Sequence, residues 1–108
     1  MRRGDVVRIG GASESYAPPL HAVIVQADLY PSTASVTVCP ITENSATAPL
    51  LRMPISDGEQ VPLPRPAWVM VDKITMIPRQ SVGQVIGHLG REDQMALDGL
   101  LMVFLGLG

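Results

Sequence analysis

Five side chains in this sequence are of the types that handle phosphate chemistry. They are Tyr16, His21, Thr42, Arg52 and Asp72. Each falls in a predicted loop, at the end of a predicted strand or on an open strand face, where functional side chains are often displayed. Such a set can place a phosphodiester between hydrogen-bond donors and a proton carrier. Their spacing alone does not specify a reaction.

Metal and nucleotide chemistry have no comparable support in the sequence. The two histidines, His21 and His88, are far apart, and Cys39 has no partner cysteine at ligand spacing. Gly10-Gly11 lacks the spacing and the following Lys-Ser/Thr of a phosphate-binding loop. We therefore expect neither a metal nor a cofactor, and we expect Cys39 to be a small buried hydrophobic residue.

The stretch from His21 to Thr42 predicts the hairpin that positions two of the five. Its first apolar run is Ala22 to Val25, and its second is Ser35 to Cys39, which ends at Pro40. The turn-prone segment between them contains Pro31. This pattern predicts His21 at the start of one strand and Thr42 just beyond the end of the next.

The remaining elements are short strands and one helix. The predicted strands cover Gly4 to Ile9, Leu50 to Ile55, Ala67 to Ile77 and Gln84 to Leu89. Val61 to Pro66 contains three prolines and predicts an edge strand or an extended connector. Gly90 opens the helix and Gly106 ends it. Asp72 is a carboxylate in the middle of an apolar strand, either solvated or aimed into a site.

The predicted helix is more apolar than one buried face requires. Leu97, Leu100, Leu101 and Phe104 form a stripe, and no charge follows Asp98. Four more apolar residues lie outside this stripe: Met102, Val103, Leu105 and Leu107. Two interpretations are open: the tail folds into its own core, or it is buried against a second subunit in a homodimer.

Composition indicates a β-rich protein. The 108 residues fit one domain, 1–108, with 46% hydrophobic and only 4% aromatic residues and with ten Gly and ten Pro. The net charge of −2 argues against a surface that is basic everywhere. A single cysteine, the lack of a signal peptide and the lack of an apolar run near the roughly 20 residues of a membrane span predict a cytoplasmic protein.

Several segments together resemble the MazF/PemK family of bacterial toxins. They are Arg3-Gly4-Asp5-Val6-Val7, the run from Ala22 to Asp28, Val38-Cys39-Pro40-Ile41-Thr42, the run from Val69 to Ile77, Ile86-Gly87-His88-Leu89 and a final helix ending Leu105-Gly106-Leu107. Each segment is short, but their order and spacing are distinctive.

This resemblance implies a small SH3-like antiparallel β-barrel with a C-terminal α-helix and a homodimeric state. It also implies a metal-independent endoribonuclease that cuts single-stranded RNA by 2′-hydroxyl attack and is neutralised by a cognate antitoxin. Thr42 matches the family's threonine at the scissile phosphate, and Asp72 falls where many members carry an acidic residue. If the chain is such a nuclease, we expect Asp72 to shape the catalytic site and Tyr16 and Arg52 to contact RNA through stacking and charge. Glu43 and Asn44 are further candidates for RNA contacts.

Leu20 departs from the family pattern. Members carry an arginine followed by a proline where this chain has Leu20-His21. A leucine cannot donate to a phosphate, and losing one such donor commonly costs about a hundredfold or more in rate. Three explanations stay open: His21 acts as the proton carrier, the chain is a weakened or inactive member, or the position was altered to allow production of a toxic protein.

Two other functions compete with the nuclease. One is a CcdB-like poison of DNA gyrase, because the segment from Met102 to Leu107 resembles the end of that family's helix, with Leu105 in the place of its tryptophan. The other is an antitoxin-binding module without catalysis, which the Leu20 departure favours.

Overall fold

Seven short strands and one α-helix form the part of the fold that the structure describes. The computed structural model describes residues 1–10, 21–44, 49–56 and 60–107. The strands are β1 (Asp5–Ile9), β2 (His21–Ile24), β3 (Ser35–Thr42), β4 (Arg52–Pro54), β5 (Trp68–Met70), β6 (Thr75–Pro78) and β7 (Val82–His88), followed by helix α1 (Arg91–Leu105). Single 3-10 turns occupy Pro49–Leu51, Val71–Lys73 and Arg79–Ser81. The strands are antiparallel, which confirms the predicted mainly β class with a C-terminal helix.

The predicted hairpin is β2 paired with β3, with Val23 opposite Cys39. The second strand does not end at Pro40, as predicted, but continues to Thr42. On its other edge β3 pairs with β6 up to Val38 and with β5 from Ile41 onward. Pro40 lies between these two ladders, where its missing N–H removes no bond from either.

The prediction of one continuous strand over Ala67 to Ile77 is wrong. The run contains β5, the 3-10 turn Val71–Lys73 and β6. A run of apolar, β-branched residues indicates that a segment is buried, but the segment need not be a strand. Val71 is an example, because it lies in the turn and is fully buried. Asp72 therefore lies in a turn and not in the middle of a strand.

Among the described residues the sheet is open, because its two end strands do not pair with each other. Its order is β4-β5-β3-β2-β1-β7, with β6 also paired to β3, so β4 and β7 form the two ends. This differs from the closed barrel expected from the resemblance. Both faces are covered: Val6 and Val23 pack with Leu97 of α1 in one cluster, while Val7 and Val38 belong to a second cluster.

Helix α1 has the predicted boundaries. Gly90 is its N-cap, and Gly106 ends it in the left-handed conformation with φ of 71°, which costs glycine little. Leu97 and Leu101 are buried, whereas Phe104 is 40% exposed. Of the described helices, none is both long and apolar enough to cross a membrane.

Candidate functional site

The antiparallel pairing of β2 with β3 brings His21 and Thr42 to the same end of the sheet. Ala22 lies opposite Pro40, so the first residue of β2 and the last of β3 are neighbours. Both line an open cleft of about 650 Å³. Glu43 and Asn44, which follow β3 directly, line it as well. The structure therefore brings together four of the residues predicted from the sequence.

Part of the cleft lining is an apolar wall. Leu63, Pro64, Ala67 and Met70 line it. Strand β5 places this wall beside Thr42, because Thr42 is the register partner of Trp68, two residues before Met70. An apolar wall facing a polar rim can accommodate a nucleobase while the rim contacts its phosphate.

The hydroxyl of Thr42 is held by the chain that follows it. The backbone N–H of Asn44 donates to Thr42 Oγ1 at 3.1 Å. This bond uses one acceptor position of the hydroxyl and leaves its own proton available for another oxygen. Thr42 can therefore donate to a phosphate oxygen from a fixed position.

His21 is held in its neutral form by its surroundings. Partial burial lowers the pKa of the imidazole below its usual 6.5, and the Arg8 guanidinium lowers it further, while Glu43 acts in the opposite direction. Arg8 is the register partner of His21 on β1. A neutral imidazole at neutral pH can accept a proton from a hydroxyl.

Asp72 and Arg52 form a pair that does not line this cleft. Arg52 Nε lies 3.3 Å from Asp72 Oδ1, and Nη2 donates to Oδ2 at 3.4 Å. The Arg52 side chain is only 5% exposed, against 22% for Asp72. The prediction that Arg52 contacts RNA from the surface is therefore not supported, since its guanidinium is buried against a carboxylate.

Two predicted residues, Tyr16 and Leu20, lie outside the residues that the structure describes. The sequence analysis also missed Lys73, which lines the cleft and is exposed. The sequence predicts a strand at this position, whereas the structure places Lys73 in the 3-10 turn Val71–Lys73. A lysine beside an apolar run carries no sequence signal that would have distinguished it.

The prediction for Cys39 is confirmed. Its side chain is fully buried, and burial raises the pKa of the thiol to about 12. Since the thiolate is the nucleophilic form, this cysteine is chemically inert at neutral pH.

Comparison with known proteins establishes the family. A sequence model of the PemK-like, MazF-like toxins of type II toxin-antitoxin systems matches residues 2–105. The chain belongs to this family. A probable endoribonuclease MazF from Mycolicibacterium smegmatis is 37% identical over 107 residues, which cover 99% of this chain and 98% of the relative. The family predicted from the sequence motifs is thus confirmed.

Solved structures of MazF toxins have the same fold. A mycobacterial endoribonuclease solved in complex with its cognate antitoxin superimposes with a TM-score of 0.80 at 23% identity, covering 100% of this chain and 97% of that one. The Mycobacterium tuberculosis toxin MazF-mt6 gives 0.73 at 22% identity, with 94% and 97% covered. MazF from a MazE-MazF complex of Deinococcus radiodurans gives 0.74 at 14% identity, with 100% and 98% covered. These comparisons favour neither the gyrase poison nor the module without catalysis.

Proposed function

We propose that this toxin is an endoribonuclease that cleaves single-stranded RNA without a metal ion, with the cleft at the end of β2 and β3 as its active site. One observation carries the proposal: a neutral imidazole and an anchored hydroxyl, His21 and Thr42, line the same open cleft. The family membership and the relative named as a probable endoribonuclease support it.

The reaction needs only these two groups, the RNA and water. His21 accepts the proton of the 2′-hydroxyl, whose oxygen then attacks the adjacent phosphorus. Thr42 donates to a phosphate oxygen as negative charge develops. The bond from phosphorus to the 5′ oxygen breaks, and this oxygen takes a proton from water. The hydroxide that remains takes the proton held by His21, which restores the neutral imidazole. The products are a 2′,3′-cyclic phosphate and a 5′-hydroxyl, so no oxidant, cofactor or metal enters the balance.

Glu43 and Asn44 are positioned to contact the RNA beside the scissile phosphate. Both line the cleft next to Thr42, and their polar groups suit the edges of splayed bases. Leu20, by contrast, has no polar group with which to replace the family's arginine. We expect cleavage to be slower than in a member that carries this arginine.

Two protein partners belong to the proposal. The helix-end patch, defined here as Met102, Val103, Leu105 and Leu107, is exposed on one chain, which supports a homodimer in which the patch is covered. A cognate antitoxin is the second partner, because MazF toxins of the same fold have been solved in complexes with antitoxins.

Cleavage of a long single-stranded transcript in buffer containing EDTA tests the function. We expect discrete fragments from the wild-type protein and a loss of about a hundredfold or more in rate for Thr42→Ala. Thr75→Ala is the matched control, because Thr75 is exposed on β6 and does not line the cleft. Wild-type protein that leaves the transcript intact would contradict the nuclease, and an active Thr42→Ala variant would contradict the role of Thr42.

A further inference from the structure

The Lys and Arg residues of one chain can be accounted for one by one. The chain has eight Lys and Arg residues, and all eight lie among the described residues. Five have protein partners. These are Arg2 with Asp5, Arg3 with Asp98, Arg52 with Asp72, and Arg65 and Arg79 with backbone carbonyl groups.

Three basic residues are left: Arg8, Lys73 and Arg91. Arg91 is the first residue of α1 and does not line the cleft. Arg8 lies on β1 and acts on His21, whose pKa it lowers. Lys73 lines the cleft itself. Among the described lining residues it is the one with a permanent positive charge.

Lys73 is also free to bind a ligand. It is exposed, and it makes no hydrogen bond or ion pair with any part of the chain that the structure describes. The turn that ends at Lys73 packs against β3, the strand that ends at Thr42. Met70, just before this turn, forms part of the apolar wall.

We propose that Lys73 binds the scissile phosphate and supplies the positive charge that Leu20 cannot. This assignment rests on the proposed nuclease function. An ammonium group is a compact charge with three donors on a flexible stem, so it can follow a phosphate without the fixed geometry of an arginine fork. Lys73 and Thr42 then donate to phosphate oxygens while His21 takes the proton.

Three variants test the role of Lys73 in cleavage. Lys73→Met removes the charge and keeps an unbranched stem, Lys73→Arg keeps the charge, and Arg91→Met removes an exposed charge outside the cleft. We expect Lys73→Met to lower kcat about ten- to a hundredfold, Lys73→Arg to restore most of it, and Arg91→Met to match the wild type. Equal kcat for Lys73→Met and Arg91→Met would overturn the proposal and leave the nuclease assignment intact.

A measurement of RNA-analogue binding does not require cleavage. It therefore distinguishes an error in the Lys73 proposal from an error in the nuclease assignment. A 2′-deoxy oligonucleotide of mixed sequence lacks the attacking hydroxyl, so its affinity can be measured by fluorescence anisotropy at several salt concentrations. We expect Lys73→Met to reduce the salt slope by about 0.7, the value for one phosphate contact on a single strand. An unchanged slope would overturn the phosphate contact, even if the wild type did not cut RNA.

The double variant Leu20→Arg/Lys73→Met tests whether the two positions supply the same charge. An arginine at position 20 should restore cleavage to Lys73→Met and should improve the wild type by a smaller factor. If Leu20→Arg raises the cleavage rate by the same factor in the wild type and in Lys73→Met, the two charges act independently. That result would contradict the proposal that Lys73 supplies the charge missing at position 20.

Discussion

His21 owes its proposed chemistry to its neighbours. A histidine at the start of a strand is an ordinary surface residue, and its own pKa would leave it partly charged near pH 6.5. Burial and Arg8 move the equilibrium toward the neutral imidazole. The register that pairs Arg8 with His21 is therefore part of the site, although Arg8 does not line the cleft.

The pH dependence of the cleavage rate should reflect the lowered pKa of His21. Because the pKa of His21 lies below 6.5, we expect the wild-type rate to stay level at neutral pH and to fall only in more acidic buffer. Arg8→Gln removes a charge that lowers this pKa and should move the fall toward higher pH. Glu43→Gln should move it the other way. The measurement is kcat/KM as a function of pH.

His21→Asn provides the control for this interpretation. It should lose about a hundredfold or more in rate, within the usual contribution of a general base, and the residual rate should no longer show the acidic fall. If the fall persists unchanged in this variant, another group is the base.

Arg52 and Asp72 illustrate what residue types cannot reveal. The sequence predicts Arg52 as an RNA contact and Asp72 as part of the catalytic site, but the fold pairs Arg52 with Met70 across β4 and β5, and the turn after Met70 brings Asp72 to the guanidinium. This contact joins two residues twenty positions apart. The sequence pattern does not show which residues lie opposite each other in β4 and β5, so the ion pair of Arg52 with Asp72 could not be predicted.

At the scale of elements, the sequence predicted the features that depend on residues close together in the chain. The hairpin of β2 and β3 follows from two apolar, β-branched runs and the turn chemistry between them, and α1 follows from Gly90, an acidic first turn and Gly106. The break within Ala67 to Ile77 follows from β3, which pairs with both β5 and β6 on one edge. A long-range constraint of this kind has no local signal, and Lys73 was missed for that reason.

Helix α1 is tied to the sheet by a buried carboxylate in its first turn. Asp93 is 8% exposed, and its Oδ2 accepts from both the N–H and the hydroxyl of Ser56 at 2.9 Å. Ser56 follows β4 closely, so this contact fixes the start of the helix against the end of the sheet.

We expect Asp93→Ala to lower the free energy of unfolding by about 2 kcal/mol, because the part-buried N–H and hydroxyl of Ser56 lose their charged acceptor. Glu92→Ala is the matched control, since Glu92 lies in the same turn and is exposed; its effect should stay within about 0.5 kcal/mol. Urea denaturation measures both. Equal effects of the two substitutions would show that the Ser56 contact adds no stability.

At the scale of the molecule, the helix-end patch is the largest departure from a self-contained fold. Val103 is 75% exposed and Leu107 is 70% exposed. The interpretation in which this tail folds into its own core is therefore wrong for the described residues. Apolar residues clustered at one end of a helix are typical of an interface, and a second copy of the chain is the occupant that the family resemblance implies.

Analytical ultracentrifugation at micromolar concentration tests the dimer. We expect the wild type to sediment as a dimer and Val103→Lys to shift toward the monomer, because an ammonium in an apolar interface loses its hydration. Met76→Lys is the control, since Met76 is equally apolar and 69% exposed on β6, away from the helix. A monomeric wild type would rule out the homodimer.

Strand β3 pairs with both β5 and β6 on one edge. We therefore expect the cleft to be complete only when these later strands have packed against the hairpin. His21 and Thr42 both lie on the hairpin of β2 and β3, but the apolar wall of the cleft comes from residues between Leu63 and Met70, and Lys73 comes from the turn after β5. A chain that ended at residue 60 would carry both reactive side chains without a wall against which RNA could be held. We therefore expect a nascent chain to gain cleavage activity only after its second half has docked onto its first.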